Sequence, residues 1–334
     1  MDDAPLRLTE LDDARAAWLA LLPGPVAPCR LPVGEAVGRV LAEPVIAAGP
    51  VPPVVTALAA GWAVAAAETM GAGPYAPVPL AAVPAWVRPG EALPPGTDAV
   101  LPGFAVDRDG PFAQVLDAVA PGEGVRQPGA DIAAGTVLRA VGEALRPQDL
   151  PALAALDVRE VAVRIPRLAM AADPLMPALA ALATTEGAAL QECAATADLV
   201  LLRHDPGGLS VRGLGARPGM TVGFGRVDGR PALLLPDPVE EALAAWFLLA
   251  RPAIAALAGR GTAPPETARL ARKVASVVGL AEIVPLRRDA EGGEEPLAIG
   301  ALPLAALAAA DALLVVPASS EGYEAGTTVP IIVL

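Results

Sequence analysis

A chain of 334 residues that is 54% hydrophobic but only 3% aromatic has the length for two to four domains, with cores built mainly from Ala, Leu and Val. Its 24 Lys and Arg against 37 Asp and Glu leave a formal net charge of −13, which excludes a partner recognised by long-range positive charge, so neither nucleic acid nor an anionic membrane surface is expected. Mean hydropathy is +0.50, yet the longest apolar stretches are cut at Arg251-Pro252 and at Asp311, which leaves no clean run of the roughly 20 residues a bilayer crossing needs.

The chain opens with the acidic Met1-Asp2-Asp3-Ala4 and no signal-peptide core, so a cytoplasmic location is expected. Residues 9–22 predict an amphipathic helix capped by Thr9, with Leu11, Ala14, Trp18, Leu21 and Leu22 on one stripe and Pro23-Gly24-Pro25 ending it. A second helix is expected over Val33–Leu41 and a strand near Val45–Ala47. From Pro50 to Pro147, prolines and glycines punctuate short apolar runs (Ala76–Val83, Ala99–Leu101, Ala113–Leu116), the pattern of a β-rich segment. A short helix and a strand at Val161–Val163 follow.

From Pro166 the pattern alternates: strand Leu168–Ala171, helix Met176–Thr185, strand Leu199–Leu202, which argues for a parallel sheet. After a Gly-rich loop come strands Thr221–Gly225 and Ala232–Leu235, joined by Asp228-Gly229. The next helix has Asp237 as N-cap, Pro238 at the first helical position and Glu240 and Glu241 in its first turn. Arg251 closes it, Pro252 restarts a second helix, and Gly259 ends that one. A linker and a small β domain over Ala268–Leu334 complete the chain. The expected division is 1–48 with 141–165, 49–140, 166–260 and 261–334, an α/β multi-domain fold.

Few residues can carry chemistry. Cys29 and Cys193 lie far apart and read as two buried thiols. His204, the single histidine, rules out a His-rich metal site, and no metal ligands are expected. One segment is locally basic: residues 203–226 hold Arg203, His204, Arg212, Arg217 and Arg226 against Asp205 alone. With Gly207, Gly208, Ser210 and Gly219 among them, they form a candidate anion cradle, in which backbone N–H groups and guanidiniums converge on a phosphate-like group. The alternative is a solvated basic loop.

Several strings, in collinear order over nearly the whole chain, resemble the MoeA/gephyrin E-domain family. They are VGEAVGRVLAEPV (33–45), Val51-Pro52-Pro53 with Gly61-Trp62-Ala63-Val64, LPPGTDAV (93–100) after Gly90, and PGEGVRQPGADIAAGTVL (121–138). Further along come Arg217-Pro218-Gly219 with Phe224-Gly225-Arg226, Leu235-Pro236-Asp237-Pro238-Val239, Asp311–Pro317 and Glu324-Ala325-Gly326. The resemblance implies an elongated homodimer with a MogA-like α/β domain. It also implies action on adenylylated molybdopterin, inserting molybdate with release of AMP, assisted by Mg²⁺. The α/β domain is shorter than that family's.

The departures fall on the family's chemical positions. Its two motif acids correspond to Val55 and Ala60, and its Asn to Thr56. Pro89-Gly90-Glu91 replaces a Thr-Gly-Ala turn, and Ala171-Ala172-Asp173-Pro174 replaces an acidic strand end. Asp237 and Glu240 stand for an Asn and a Ser, and Ala301, Ala305 and Ala306 for serines. Val and Ala cannot hold Mg²⁺, so that ion is doubtful here. Three readings remain open: a molybdotransferase with a reduced residue set, a non-catalytic homologue binding molybdopterin or a molybdoenzyme or other cofactor-pathway partner, and a dimeric scaffold.

Overall fold

The computed structural model describes residues 7–109, 111–262 and 264–334; the acidic start at Met1–Ala4 lies outside them. The chain forms two compact units. The larger comprises Met1–Glu43, Val141–Pro147 and Glu160–Leu334, and the smaller Pro44–Ala140 and Gln148–Arg159.

At the centre of the larger unit is a six-stranded sheet. Its order is Ala189–Gln191, Arg167–Met170, Leu199–Leu202, Arg230–Leu234, Gly223–Val227, Val211–Arg212. The first four strands are parallel, as the strand–helix–strand alternation predicts, and Gly223–Val227 runs antiparallel to both of its neighbours. A second six-stranded sheet holds Ala281–Arg288, Ala312–Val316, Thr328–Val333 and Glu266–Arg269, with Glu294–Pro296 beside the first of these. It also takes in Ala216–Arg217, which pairs in parallel with Ala281–Arg288, so the C-terminal strands do not form a sheet by themselves. A helix, Leu304–Ala309, interrupts the expected all-β pattern.

The first helix is Leu11–Ala20, with Leu11, Ala14 and Trp18 buried. Its cap is Glu10, whose carboxylate accepts the N–H groups of Asp12 (2.8 Å) and Asp13 (3.2 Å). Thr9 cannot cap because its backbone bridges to the Gly213–Gly215 segment, donating to Gly213 O and accepting from Gly215 N. The expected helix at 33–41 is absent: strand pairing of Val40–Leu41 with Val163 and Arg164 wins, and Gly38, at φ +81°, breaks any helical run. Both thiols are exposed rather than buried. Cys29 lies on the edge strand of a three-stranded sheet, and Cys193 lies in the connection after the edge strand Ala189–Gln191.

The largest departure is the helix after Asp237. Pro252 does not restart it; one helix runs from Val239 to Ala258, widening into a π turn at Trp246–Ala250. Proline at 252 removes the donor that Leu248 O would receive in a regular helix. Arg15 Nε reaches that carbonyl at 3.4 Å, and Trp18 Nε1 takes the next, Leu249 O, at 3.0 Å. Arg251 pairs with Glu186 at 2.6 Å and donates to Val333 O at 2.6 Å. Among the described residues this helix alone has the length and apolarity to cross a membrane, and 72% of its most apolar stretch is buried within the protein.

The smaller unit is β-rich, with short strands such as Gly61–Val64 between Ala85–Val87 and Ala99–Leu101, and Phe112–Val115 between Val78–Leu80 and Val106–Asp109. Its core is made of small residues, including Val64, Ala66, Ala99, Leu101, Val106, Ala113 and Val115. One short helix, Leu150–Ala155, belongs to it.

Candidate functional site

The parallel sheet defines where a ligand can enter. From Arg167–Met170 the chain passes through the helix Met176–Thr185 to the strand on one side, Ala189–Gln191, and then returns to the other side at Leu199–Leu202. Strand order reverses between Arg167–Met170 and Leu199–Leu202. At such a reversal the outgoing connections diverge and leave a crevice beyond the carboxyl ends of the strands. A cleft of about 420 Å³ lies there, lined by Ala171, Ala172, Asp173, Glu192, Arg203 and His204 among others.

Arg203 dominates this cleft, and its donors are already engaged. Nε meets Asp173 Oδ2 at 3.2 Å, one terminal nitrogen donates to both Leu235 O and Pro236 O at 2.7 Å, and the other reaches Asp237 Oδ1 at 3.4 Å. Its side chain is only 13% exposed. Asp173 also accepts the Leu175 N–H at 2.7 Å, holding the entry to the following helix. Four of five guanidinium donors are therefore occupied, and the positive charge faces two carboxylates. His204 extends into solvent beside Asp237, with Nδ1 4.0 Å from Oδ2.

Asp237 is not a cap. Pro238 holds the capping position without a side-chain bond to the helix, and Asp237 turns instead toward Arg203 and His204. Glu241 accepts from the backbone N–H and the hydroxyl of Thr221 at 3.1 and 3.0 Å. The turn at residues 235–241 thus presents carboxylates where a helix N-terminus would otherwise favour an anion.

The expected cradle residues fall in three places. Arg203 and His204 line the cleft, and the 235–238 turn meets them through Pro236 O and the Asp237 carboxylate, with Pro238 next in the chain. Gly207 and Gly208, both at positive φ, form an exposed turn in which Asp205 accepts the Gly207 N–H at 2.8 Å and pairs with Arg212 at 3.0 Å; exposed Ser210 lies between. Arg217 belongs to the other sheet, ion-paired with the buried Glu282, and Gly219 turns just beyond it. Arg226 donates to Gly229 O and Leu21 O. In sequence Asp173 stands out only within the altered strand end at 171–174 and Glu192 not at all; the strand order brings both to the cleft.

In the β-rich unit, Gly61 has a packing role: a Cβ there would come 2.2 Å from Leu101 O. Gly90, at φ +82° in open space, serves a turn. Val55 is half-buried, and Thr56 and Ala57 pair with Val125 and Arg126, so residues 55–60 offer no carboxylate. No group of three or more His, Cys, Asp or Glu able to hold a metal ion occurs among the described residues. The side chains present at 55–60 do not fit Mg²⁺.

A model of the MoeA N-terminal region (domain I and II) matches residues 9–156, and a model of the MoeA C-terminal region (domain IV) matches residues 267–334. The chain belongs to the MoeA family. Molybdopterin molybdenumtransferase 2 of Mycobacterium tuberculosis (strain CDC 1551 / Oshkosh) is 26% identical over 300 residues, covering 67% of this chain and 74% of that protein. The crystal structure of the molybdopterin biosynthesis MoeA protein from Pyrococcus horikoshii OT3 superposes with a TM-score of 0.77 at 24% identity, covering 98% of this chain and 100% of that one. A molybdenum cofactor biosynthesis protein from Pyrococcus furiosus gives a TM-score of 0.63 at 22% identity, with coverage of 98% and 100%. This chain has the MoeA multi-domain α/β fold, and its cleft lies in the α/β segment between the two matched regions.

Proposed function

We propose that this MoeA-family chain works in molybdenum cofactor biosynthesis as a binding protein for molybdopterin or for a pathway partner, holding its ligand at the strand-reversal cleft without carrying out molybdate insertion. Family membership and the names of its relatives support the process. The observation that favours binding over insertion is the state of Arg203. Its guanidinium is held by Asp173, Asp237 and two carbonyls, so an incoming molybdate would have to displace carboxylates to reach it. Residues 55–60 add no carboxylate to hold a cation. The reading further takes the protein as a cytoplasmic homodimer of four domains, a state that sedimentation analysis can test.

Calorimetric titration with molybdopterin and with adenylylated molybdopterin, each with and without Mg²⁺, tests this reading. Binding of molybdopterin is expected, with no tightening by the adenylate or by Mg²⁺. Expression in a strain lacking its insertase is expected not to restore molybdoenzyme activity. Clear rescue would favour the molybdotransferase; no measurable binding of either ligand would favour a scaffold.

A further inference from the structure

We propose that the Trp62–Trp86 face of the β-rich unit is a docking surface for an acidic peptide segment of another protein, one that presents an aromatic or large aliphatic side chain between carboxylates. Trp62 and Trp86 are directly opposed across neighbouring strands, with ring centroids 4.9 Å apart and planes at 81°. Their positions are fixed. Trp62 Nε1 donates to Gly103 O at 3.3 Å, and Gly103 packs so closely on Trp86 that a Cβ would come 3.2 Å from its ring. Trp86 nevertheless leaves 48% of its surface in solvent, and Phe104, next to Gly103 in the chain, leaves 80%. Rigid, half-exposed aromatic rings are the residues that supply contact area at low entropic cost.

Charge selects the partner. This unit has five arginines, and three lie against aspartates: Arg126 with Asp131, Arg139 with Asp149, and Arg159 with Asp157. For the other two, Arg88 and Arg108, no carboxylate stands within ion-pair distance of the guanidinium among the described residues. Arg108 is at the tryptophans, and Arg88 is near them in sequence, its backbone N–H held by Glu91 at 2.8 Å. Arg108 lies over the Trp62 ring, 5.2 Å from its centroid, and Arg88 follows Trp86 by two residues. A guanidinium stacked on an aromatic face keeps its in-plane N–H groups available to a carboxylate. Acidic residues outnumber arginines in this unit, so a long polyanion such as nucleic acid is repelled, whereas a short segment needs only the local cations. The inference uses residues of the β-rich unit alone and does not depend on the cofactor reading.

The test uses the full chain, labelled and applied to an array of hexapeptides in which one Phe, Tyr, Leu or Ile sits among Asp and Glu. Asn/Gln and Lys counterparts and a short oligo-dT serve as competing probes. Binding to the acidic set alone is expected, weakened about tenfold by Arg108→Ala or Arg88→Ala and by Trp86→Ala. Trp86→Phe should retain most of it, and thermal melting of each variant confirms folding. Equal binding to the Asn/Gln set, binding to oligo-dT instead, no binding to any peptide, or acidic-set binding that Arg88→Ala and Arg108→Ala leave unchanged would overturn the proposal.

Discussion

Trp18 and Trp246 are completely enclosed in the larger unit, whereas in the β-rich unit Trp86 keeps 48% of its surface in solvent and Trp62 is only partly buried. The larger unit gathers its big side chains around one long helix: Trp18 packs on Phe224 at 5.4 Å and caps Leu249 O from a different helix. The smaller unit closes over alanines and valines and relies on close backbone approach, as at Gly61 against Leu101 O. Burial of large side chains stabilises the first, and glycine-permitted backbone contact the second.

The same substitution in both regions is the strongest way to break that comparison. Trp18→Ala should destabilise by about 4 kcal/mol, since it leaves a cavity and strips a carbonyl of its donor, whereas Trp86→Ala should cost about 1 kcal/mol or less. Urea denaturation of both variants checks this, and similar losses would contradict it. Within the β-rich unit, Gly61→Ala is expected to cost about 3 kcal/mol because the new methyl overlaps a backbone oxygen. Gly90→Ala, strained only by its positive φ, should cost about 1 kcal/mol, and thermal melting separates the two. The smallest effect is expected at Asp237→Ala. As a helix cap it would contribute about 1 kcal/mol, but as an exposed partner of an arginine held by other groups its loss should stay within about 0.5 kcal/mol.

Much of the fold could be read from local pattern. The strand–helix–strand alternation after Pro166 and the Trp18 stripe of the first helix were legible because hydrophobic period follows burial directly. Thr9, Val33–Leu41 and Asp237 depart from their local pattern for one shared reason: a residue suited to a helix or a cap is claimed by a more distant backbone or side-chain partner. The cleft was half visible. Arg203 and His204 stood out by charge, but their partners Asp173 and Asp237 lie 30 and 34 residues from Arg203 and come together only through the sheet.

The sequence by itself determined the family, the acidic surface and the absence of carboxylates at 55 and 60, since these depend on residue identity and order alone. Tertiary structure decided that Pro252 lies inside one continuous helix, that both thiols face solvent, and that the arginines of 203–226 go to separate partners instead of one cradle. The physical reason is that satisfaction of a charge or a carbonyl depends on which groups the fold brings within 3 Å or so, and no local pattern carries that distance.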